Sequence, residues 1–466
     1  MSNQNPNVIS RIHNREKKED IVIIGAGLSG LTTAIILARA GRSVTVLEQS
    51  SKVGGRARTE NVDGFYFNQG PHALYLSGEG AKVLQELGIK YGGSPPPTPQ
   101  YFMKHDMKYQ QGANFYSILT SKLLGGLGSK IELIRFFMSL RKMNFNEIQS
   151  ITIEEWLKKR IYHRDVFDLL ITLCRIVTYA NEPEVQSAGS TLSQLQRAIS
   201  GGVLYLDGGW QTLVNELISE ALKAHVRIYS GKRVSNVKEV IIDSPTSAET
   251  TMPLWRINVS DGSSVLTSTL VIAGSPTDFQ GLFRDSKPKL LSYIVGERAS
   301  SSKRINPVRA ACLDVALNTL PNPSIPVAVG IDSPFFLSVH SASAKLAPKG
   351  GALIHVIKYL GSTHESNPST DKLELEAFLD AIQSGWRNVV VRQRFLPNMI
   401  VYNAIVTAEQ GGTLGRPDTK VPETENLYIV GDWIGSEGIL ADASFASAKR
   451  AAEQILKARP MLVSYV

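Results

Sequence analysis

The stretch that decides the fold is Ile-Val-Ile-Ile-Gly-Ala-Gly-Leu-Ser-Gly at residues 21–30. Four β-branched residues predict a buried strand, and the apolar run at residues 31–40 predicts a helix after the glycine turn. Gly25 permits the tight turn, Gly27 lets a pyrophosphate approach the backbone, and Gly30 lets the helix pack closely on the strand. The phosphates would lie at the positive helix N-terminus. This spacing predicts a dinucleotide-binding turn, which also contains Ala26, Leu28 and Ser29.

A second strand and a second glycine pair follow the first helix. Residues 44–47 are apolar or β-branched and end at Glu48 and Gln49. Glu48 is placed to accept a hydrogen bond from a ribose 2′-hydroxyl. Gly54 and Gly55 then expose backbone amides, and Arg56 offers a guanidinium to a second anionic site. Two anion contacts in succession suit a dinucleotide held in an extended conformation.

Together with GAGLSG at 25–30, the motifs VGGRART at 53–59, FNQGPH at 67–72 and NLYIVGDW at 426–433 resemble the superfamily of phytoene desaturases, protoporphyrinogen oxidases and flavin amine oxidases. The resemblance covers most of the chain and implies FAD as the cofactor. It implies that Asp432, after Gly431, accepts from the ribityl hydroxyls. It also implies that the Val234 backbone contacts adenine and that the turn Gly70, Pro71, His72 lies near the flavin ring.

The flavin motifs lie at the start, middle and end of the chain, so we expect two interleaved domains. The predicted fold class is α/β: an FAD-binding Rossmann-like domain of the glutathione-reductase type, interleaved with an α+β substrate domain. Residues 1–76, 206–276 and 415–466 are assigned to the FAD-binding domain, and 77–205 and 277–414 to the substrate domain. In the inserts, residues 129–132 and 152–155 read as capping boxes that open helices, and 310–317, 335–339 and 352–359 as strands of a sheet backed by helices.

The C-terminal segment predicts a strand at residues 427–430 and an alanine-rich helix from Asp442 onward. When a hydride reaches flavin N5, negative charge develops at the pyrimidine edge of the ring, and a helix N-terminus stabilises such charge. We therefore expect the amides near Leu440 and Ala441 to face that edge.

Few residues qualify for chemistry beyond the flavin. His72 is one candidate, although a loop histidine is usually a structural residue, and Glu437 is the other, with a surface position in a Gly-Ser turn as the competing interpretation. Trp433 is interpreted either as a flavin contact or as core. We find no metal-binding spacing, and neither Cys174 nor Cys312 lies near the C-terminal flavin segment, so FAD is expected to bind noncovalently.

Charge and hydropathy limit the classes of partner that are expected. The formal net charge of +8 comes from scattered lysines and arginines, so no nucleic acid is expected. Residues 11–20 are interpreted as a disordered leader, and no apolar run is long enough to span a bilayer. Residues 115–145 combine apolar and basic residues, which allows either a helix packed in its own domain or one lying on a membrane. We expect a cytoplasmic protein with possible peripheral membrane contact. The sequence does not indicate an oligomeric state.

The leading hypothesis is an FAD-dependent oxidoreductase, desaturase-like or dehydrogenase-like, that moves a hydride from a largely apolar small molecule to flavin N5. A flavin amine oxidase is the first alternative, but the resemblance aligns Leu440 with an aromatic cage residue of amine oxidases, which weakens it. The glycine- and proline-rich stretch typical of phytoene desaturases is also absent from 436–442. The alternative of another class is a non-redox binding protein on the same fold, like the Rab GDP-dissociation inhibitors.

Overall fold

The computed structural model describes residues 17–103, 109–111, 115–241, 253–284, 306–361 and 366–458. Within these ranges the chain forms two seven-stranded sheets, two smaller sheets and the helices that cover them. The predicted α/β class is confirmed.

The first sheet is the predicted nucleotide-binding sheet, with strand order β10-β2-β1-β13-β12-β11 and β19 paired to β13. The neighbours β10, β2, β1, β13 and β19 are parallel, whereas β11, β12 and β13 form an antiparallel meander at one edge. The bounds are β1 Lys17–Ile24, β2 Val44–Leu47, β10 Arg227–Tyr229, β11 Val234–Ile241, β12 Pro253–Val259, β13 Ser264–Ile272 and β19 Leu427–Ile429.

Strand β13 connects the parallel and the antiparallel parts of this sheet. It pairs with β1 from Val265 to Ile272, with β12 over its first four residues and with β19 over its last three. Strands β12 and β19 therefore share the edge of β13 that lies opposite β1.

The expectation of a disordered leader over residues 11–20 is wrong for its last four residues. β1 begins at Lys17 and pairs in parallel with β13 over this stretch. The charges of Glu19 and Asp20 are matched by Arg227 and Arg42, and the Arg42 Nη2 atom lies 2.7 Å from Asp20 Oδ1. Polar composition suggested a solvated arm, but strand pairing and ion pairing order it. Residues 11–16 lie outside the described residues.

Helices cover both faces of the first sheet. On one face, α1 (Leu28–Arg39), α2 (Glu79–Glu86), α8 (Gln211–Lys223) and α11 (Leu440–Lys457) share one apolar core with the strands. On the other face, α9 (Pro276–Leu282) and the meander enclose a second core around Trp255, Phe279 and Trp433. The predicted C-terminal helix is present and begins at Leu440, two residues before Asp442.

The second large sheet has strand order β18-β14-β17-β16-β15-β7-β8. Its bounds are β7 Gln100–Met103, β8 Tyr109–Gln111, β14 Val308–Leu317, β15 Val327–Gly330, β16 Phe335–Val339, β17 Ala352–Leu360 and β18 Val390–Tyr402. Helix α10 (Pro368–Ile382) shares a core with one face of this sheet, and helices of the first insert share a core with the sheet through Cys312 and Tyr359. The expected sheet backed by helices is present, with β7 and β8 added from the first insert.

The remaining helices belong to the first insert, which also carries short strands. Its helices are α3 Phe115–Thr120, α4 Leu127–Leu140, α5 Ile153–Lys158, α6 Arg164–Thr178 and α7 Ala188–Gly201. The small sheets contain β3 Thr59–Val62 with β4 Phe65–Asn68, and β5 Leu74–Tyr75, β9 Val203–Leu206 and β6 Gly93–Ser94. All strands of the first large sheet lie inside the segments assigned to the FAD-binding domain. The domain boundaries themselves stay a prediction.

Of the two predicted capping boxes, one opens a helix and the other is wrong. Thr152 caps α5, because its hydroxyl accepts from the Glu155 amide at 3.1 Å. Ser129 lies inside α4, which begins two residues earlier, and its hydroxyl donates to Asp165 at 3.0 Å. Glu132 instead accepts from the Tyr162 and His163 amides at 2.8 and 3.0 Å, so it caps the chain that leads into α6. A tertiary contact has replaced the local one.

Candidate functional site

The glycine turn after β1 has the geometry that its sequence predicts. Gly25 has a φ of 103°, and a Cβ there would lie 2.3 Å from the Ala273 carbonyl oxygen. A Cβ on Gly30 would lie 2.0 Å from the Gly25 carbonyl oxygen, so these two positions exclude any side chain. A Cβ on Gly27 would meet no atom within 4 Å. Gly27 therefore faces open space at the N-terminus of α1.

That helix end has no side-chain cap. Gly27 occupies the N-cap position of α1 and offers no side chain to the first-turn amides. Ser29 and Gly30 are buried in this turn, while Leu28 is half-buried. Backbone N–H groups left free at a helix N-terminus bind anions readily. Open space and free donors therefore coincide.

Glu48 lies at the end of β2, beside this turn. Its Oε2 accepts from the Ala26 amide at 2.8 Å and its Oε1 accepts from the Ser50 amide at 2.8 Å. A carboxylate has about four acceptor positions, so two remain for a ligand hydroxyl. Gln49 next to it is exposed. Val234 is the first residue of β11. Two residues before it, the Lys232 amide donates to the Glu48 carbonyl at 2.7 Å, which connects the start of this strand to Glu48.

The second glycine pair joins the turn to the C-terminal segment. The Gly54 amide donates to the Ala26 carbonyl at 2.9 Å, and a Cβ on Gly55 would lie 3.5 Å from Gly27 Cα. Arg56 Nη2 lies 2.7 Å from Asp432 Oδ2. The anion beside Arg56 in this structure is thus Asp432, and Arg56 Nη1 donates to the Val401 carbonyl at 2.9 Å.

Asn403 also belongs to this group, although it was not among the predicted site residues. Its side-chain amide donates to Asp432 Oδ1 at 2.8 Å and its backbone amide to Oδ2 at 3.2 Å. Asp432 is only 3% exposed, whereas the Arg56 side chain is 44% exposed. Asn403 follows the last residue of β18, so one end of the second sheet reaches the nucleotide turn. No motif marks it because an isolated asparagine after a strand is common.

The C-terminal segment forms the other side of the site. The Ser447 hydroxyl accepts from the Gly431 amide and lies 3.0 Å from the Gly431 carbonyl, which fixes the end of β19 on α11. Helix α11 starts at Leu440, which has a φ of 58°, and its N-cap Ile439 provides no side-chain cap. Leu440 and Ala441 are both half-buried. Trp433 belongs to the core, where its Nε1 donates to the Gly274 carbonyl at 2.9 Å.

The turn Gly70, Pro71, His72 lies between the two large sheets. Gly70 has a φ of 75°, and a Cβ there would lie 2.6 Å from Met399 Cε of β18. His72 Nδ1 is 3.0 Å from the Gly70 carbonyl, so Nδ1 carries the proton and Nε2 is free to accept. Burial lowers the pKa of His72 to about 4, although the Gly70 hydrogen bond opposes this shift. His72 is therefore neutral at physiological pH.

Glu437, the second candidate for chemistry, is exposed and lies near Arg450 on the outer side of α11. This placement favours the competing interpretation of a surface residue. We leave Glu437 out of the mechanism proposed below.

A buried polar network beside His72 escaped the sequence analysis. Asp314 on β14 is fully buried and accepts from His355 Nδ1 at 2.6 Å and from Arg394 Nε at 3.0 Å. Burial would raise the pKa of Asp314, but His355 and Arg394 outweigh it and hold that pKa below its usual value. Arg394 also donates to the Asn68 carbonyl, which fixes the strand that leads to the His72 turn. These residues come from three strands far apart in the chain, so no local pattern identifies them.

Cys312, Asp314 and His355 lie close enough together to be considered as metal ligands. Their spacing is that of hydrogen bonds, because Cys312 Sγ is 3.1 Å and His355 Nδ1 2.6 Å from the same Asp314 oxygen. Two ligand atoms of a tetrahedral zinc at about 2.0–2.3 Å would lie farther apart, at roughly 3.3 Å or more. The Arg394 charge on the same carboxylate also opposes a cation. Cys174 and Cys312 are both free and buried.

These residues fit the cofactor that the sequence motifs imply. Three features match an extended dinucleotide: open space and uncapped amides at Gly27, a carboxylate with spare acceptors at Glu48, and an uncapped second helix at Leu440. Two nitrogens of Arg416, near that second helix, are buried with no hydrogen-bond partner. Such orphaned donors are expected where a bound group is missing.

The family profile described as flavin containing amine oxidoreductase matches residues 28–304, more than half of the chain. The predicted superfamily is confirmed.

Individual relatives match smaller parts. An L-amino-acid oxidase from Sistrurus catenatus edwardsii is 56% identical over 72 residues, which cover 16% of this chain and 13% of the oxidase. The 4,4′-diaponeurosporene oxygenase of Staphylococcus aureus is 26% identical over 259 residues, covering 47% of this chain and 50% of the oxygenase. This chain therefore matches half, or less, of the length of these relatives. The fold is similar to that of an oxidoreductase from Methanosarcina mazei, with a TM-score of 0.72, 18% identity, and coverage of 94% of this chain and 100% of the other.

Proposed function

This chain belongs to the flavin-containing amine oxidoreductases, an FAD-dependent family, and from that premise we propose that it oxidises a largely apolar small molecule. The observation that carries the proposal is the convergence of three distant segments. The turn at Gly27, the Gly54–Arg56 segment and the strand end at Asp432 are joined by the Gly54–Ala26 hydrogen bond and the Arg56–Asp432 ion pair, and we infer that they line one groove for FAD. A binding protein without FAD would have no need for these contacts.

Each element of the groove has a distinct task in holding FAD. The free amides at the N-terminus of α1 bind the pyrophosphate, and Glu48 accepts from the adenosine ribose. Asp432, held by Arg56 and Asn403, accepts from the ribityl chain. Bound FAD would supply the acceptor for the hydride that the substrate loses together with a proton, and would pass the two electrons to a second substrate such as oxygen. We expect the cofactor to bind noncovalently, because no cysteine lies near the C-terminal segment.

An apolar cluster next to α11 supports the choice of substrate. Ala180, Val308, Tyr402 and Ile405 are buried together, and Tyr179, Val401 and Leu440 pack against them. Tyr179 and Leu440 both have left-handed backbone conformations, with φ of 59° and 58°. Non-glycine residues held in this region cluster at ligand sites. We expect this cluster to form the apolar side of the substrate site, beside the expected flavin edge.

Proton transfer needs no charged base in this arrangement. His72 is neutral, and its free Nε2 can accept a hydrogen bond or a proton at a position fixed by the Gly70 carbonyl. A substrate aligned for hydride loss can release its proton to water as it forms the product. The residues thus position the substrate.

A pair of glycine variants tests FAD binding separately from folding. Gly27→Ala adds a methyl group into open space, so the fold should persist and FAD affinity should fall at least tenfold. The control is Gly281→Ala in α9, where a Cβ also meets nothing within 4 Å. We expect the control to keep a yellow protein with flavin absorbance. A colourless wild-type protein that binds no added FAD would overturn the proposal.

Substrate class is tested by anaerobic bleaching of the flavin. Carotenoid precursors, porphyrinogens and amines are mixed with the purified protein and the oxidised flavin absorbance is followed. We expect bleaching by an apolar substrate with a C–C bond to desaturate. Bleaching by amines alone would replace the proposal with C–N oxidation.

We also propose that α4 contacts an anionic membrane surface. Leu127, Ile131 and Met138 are 74%, 39% and 66% exposed and lie in one stripe of the helix. Arg135, Arg141 and Lys142 flank that stripe and are exposed. The opposite face, with Leu133, Phe136 and Leu140, is buried in the core of the insert, so the helix also packs in its own domain. In the described part of the chain, no helix has the length and hydropathy needed to cross a membrane.

Flotation with vesicles of phosphatidylcholine, with and without phosphatidylserine, tests this contact. The wild-type protein should float with the anionic vesicles, and a Leu127→Ser, Met138→Ser double variant should not. Leu373→Ser is the matched control, because Leu373 is 68% exposed on α10. Equal flotation of the double variant and the control would exclude the α4 contact.

A further inference from the structure

A buried arginine stands beside the expected flavin edge without a full set of partners. Arg416 Nη1 donates to the Gly438 carbonyl at 2.9 Å. Its Nε and Nη2 are buried and have no hydrogen-bond partner. Gly438 directly precedes Ile439, the N-cap of α11, so the guanidinium lies at the N-terminus of that helix. Its side chain as a whole keeps some accessible surface, as expected for a group that lines an internal space.

The local charges are not balanced. Asp432 is already ion-paired with Arg56 and hydrogen-bonded to Asn403. Arg416 lies close enough to Asp432 and the Tyr402 phenol to interact electrostatically with both, but no carboxylate among the described residues forms an ion pair with it. Burial lowers the pKa of Arg416 to about 10, which leaves it charged at neutral pH. A buried charge of this kind is costly unless an anion or a strong acceptor reaches it.

We propose that Arg416 donates N–H groups of its two unpartnered nitrogens to the pyrimidine edge of the bound isoalloxazine and so stabilises the reduced cofactor. This inference rests on the proposed function. The edge gains negative charge on reduction, and a guanidinium beside an uncapped helix N-terminus adds to the helix field at that position. Arg416 therefore favours reduced over oxidised flavin. It tunes the cofactor and takes no proton.

The alternative acceptor is the pyrophosphate, which carries the same charge in both redox states. Contact with the pyrophosphate would strengthen FAD binding without changing the potential. Contact with the pyrimidine edge changes the potential. Affinity and potential therefore distinguish the two.

The test compares Arg416→Met with Arg416→Lys, and uses Arg450→Met as the matched control. Arg450 lies on α11 and pairs with Asp418 on the outer surface. The midpoint potential of the bound flavin is measured with a reference dye, and FAD affinity by fluorescence quenching. For Arg416→Met we expect about a tenfold loss of preference for the reduced form, which is about 30 mV for a two-electron couple. Arg416→Lys should recover part of the shift because it retains the charge.

Several outcomes would overturn the inference. A potential unchanged within 10 mV in Arg416→Met, with wild-type-like FAD content, removes Arg416 from the flavin edge. An affinity loss without a shift in potential assigns it to the pyrophosphate instead. If Arg416→Met does not fold, Arg416→Lys alone must show a lowered potential. A wild-type protein that binds no FAD refutes the proposed function and is recognised before any variant is measured.

Discussion

Arg56 and Asp432 lie 376 positions apart in the chain, and their side chains meet at 2.7 Å. This ion pair joins the loop after β2 to the end of β19, across the groove that begins at Gly27. Asp432 is nearly inaccessible, whereas Arg56 is partly exposed. The buried carboxylate therefore depends on this guanidinium and on Asn403 for its partners.

Replacing Arg56 should weaken both the apoprotein and FAD binding. Arg56→Met leaves Asp432 with the Asn403 contacts only, and we expect a loss of about 1–2 kcal/mol in the free energy of unfolding, since half-exposed pairs are worth less than buried ones. Urea unfolding measures the loss. Arg58→Met is the control, because the Arg58 guanidinium hydrogen-bonds to Gly55 and Ser50 of the same loop. Equal stability of the two variants would contradict the role of the pair.

Asp442 should make stability depend on pH. Burial raises its pKa to about 6, against the hydrogen bond from the Gly80 amide at 2.9 Å. A carboxyl whose pKa is higher in the folded state than in the unfolded state stabilises the fold while protonated, so this contribution is full below about pH 4 and is lost as pH rises through 6.

Asp442→Asn removes this dependence because the amide does not titrate. The free energy of unfolding of the variant minus that of the wild type should therefore rise by about 1–3 kcal/mol from pH 4 to pH 8. Thermal and urea unfolding at the two pH values measure the gain. A pH dependence identical to that of the wild type would show that Asp442 ionises freely.

His72 should not contribute a titration step to flavin reduction. Burial holds its pKa near 4, so the ring is neutral throughout pH 5.5–9. The rate of anaerobic flavin reduction should have the same pH profile in the wild type and in His72→Gln, whatever the change in absolute rate. An inflection near pH 6.5 that disappears in the variant would show that His72 is charged during the reaction.

Asp314 should be among the most sensitive positions in the second sheet. Asp314→Asn leaves Arg394 without its counter-charge and forces a new proton arrangement on His355, so we expect a loss of about 3–5 kcal/mol. Asp63→Asn in the turn between β3 and β4 is an exposed control. Calorimetric melting of both variants gives the comparison. If Asp314→Asn and the control melt at the same temperature, the network adds little to the stability of the fold.

The nucleotide half of the fold could be predicted because its signals are local. The strand, turn and helix at residues 21–40 follow from β-branched residues and glycine spacing. Gly25 and Gly30 are required because a Cβ at either position would lie within 2.5 Å of a backbone oxygen. The network around Asp314 could not be predicted, because its members lie on β14, β17 and β18 and become neighbours only through sheet pairing. Asn403 and Arg416 were missed for a related reason. Each is an ordinary polar residue whose hydrogen-bond partners lie in another segment of the chain.

The same distinction explains the errors. Ser129 and Glu132 have the spacing of a capping box, but each side chain binds the approach to α6 instead. Lys17 to Asp20 look like a solvated arm, yet Arg42 and Arg227 neutralise their acids beside β13. In both cases tertiary partners outweigh the local preference.

The order of the groove-forming segments along the chain has a consequence for biosynthesis. A ribosome releases β1 and its glycine turn early, but Asp432 and α11 emerge only after both inserts have been made. The FAD site is therefore completed late in synthesis. Until residues 427–429 have been made, the edge of β13 that pairs with β19 has no partner strand there.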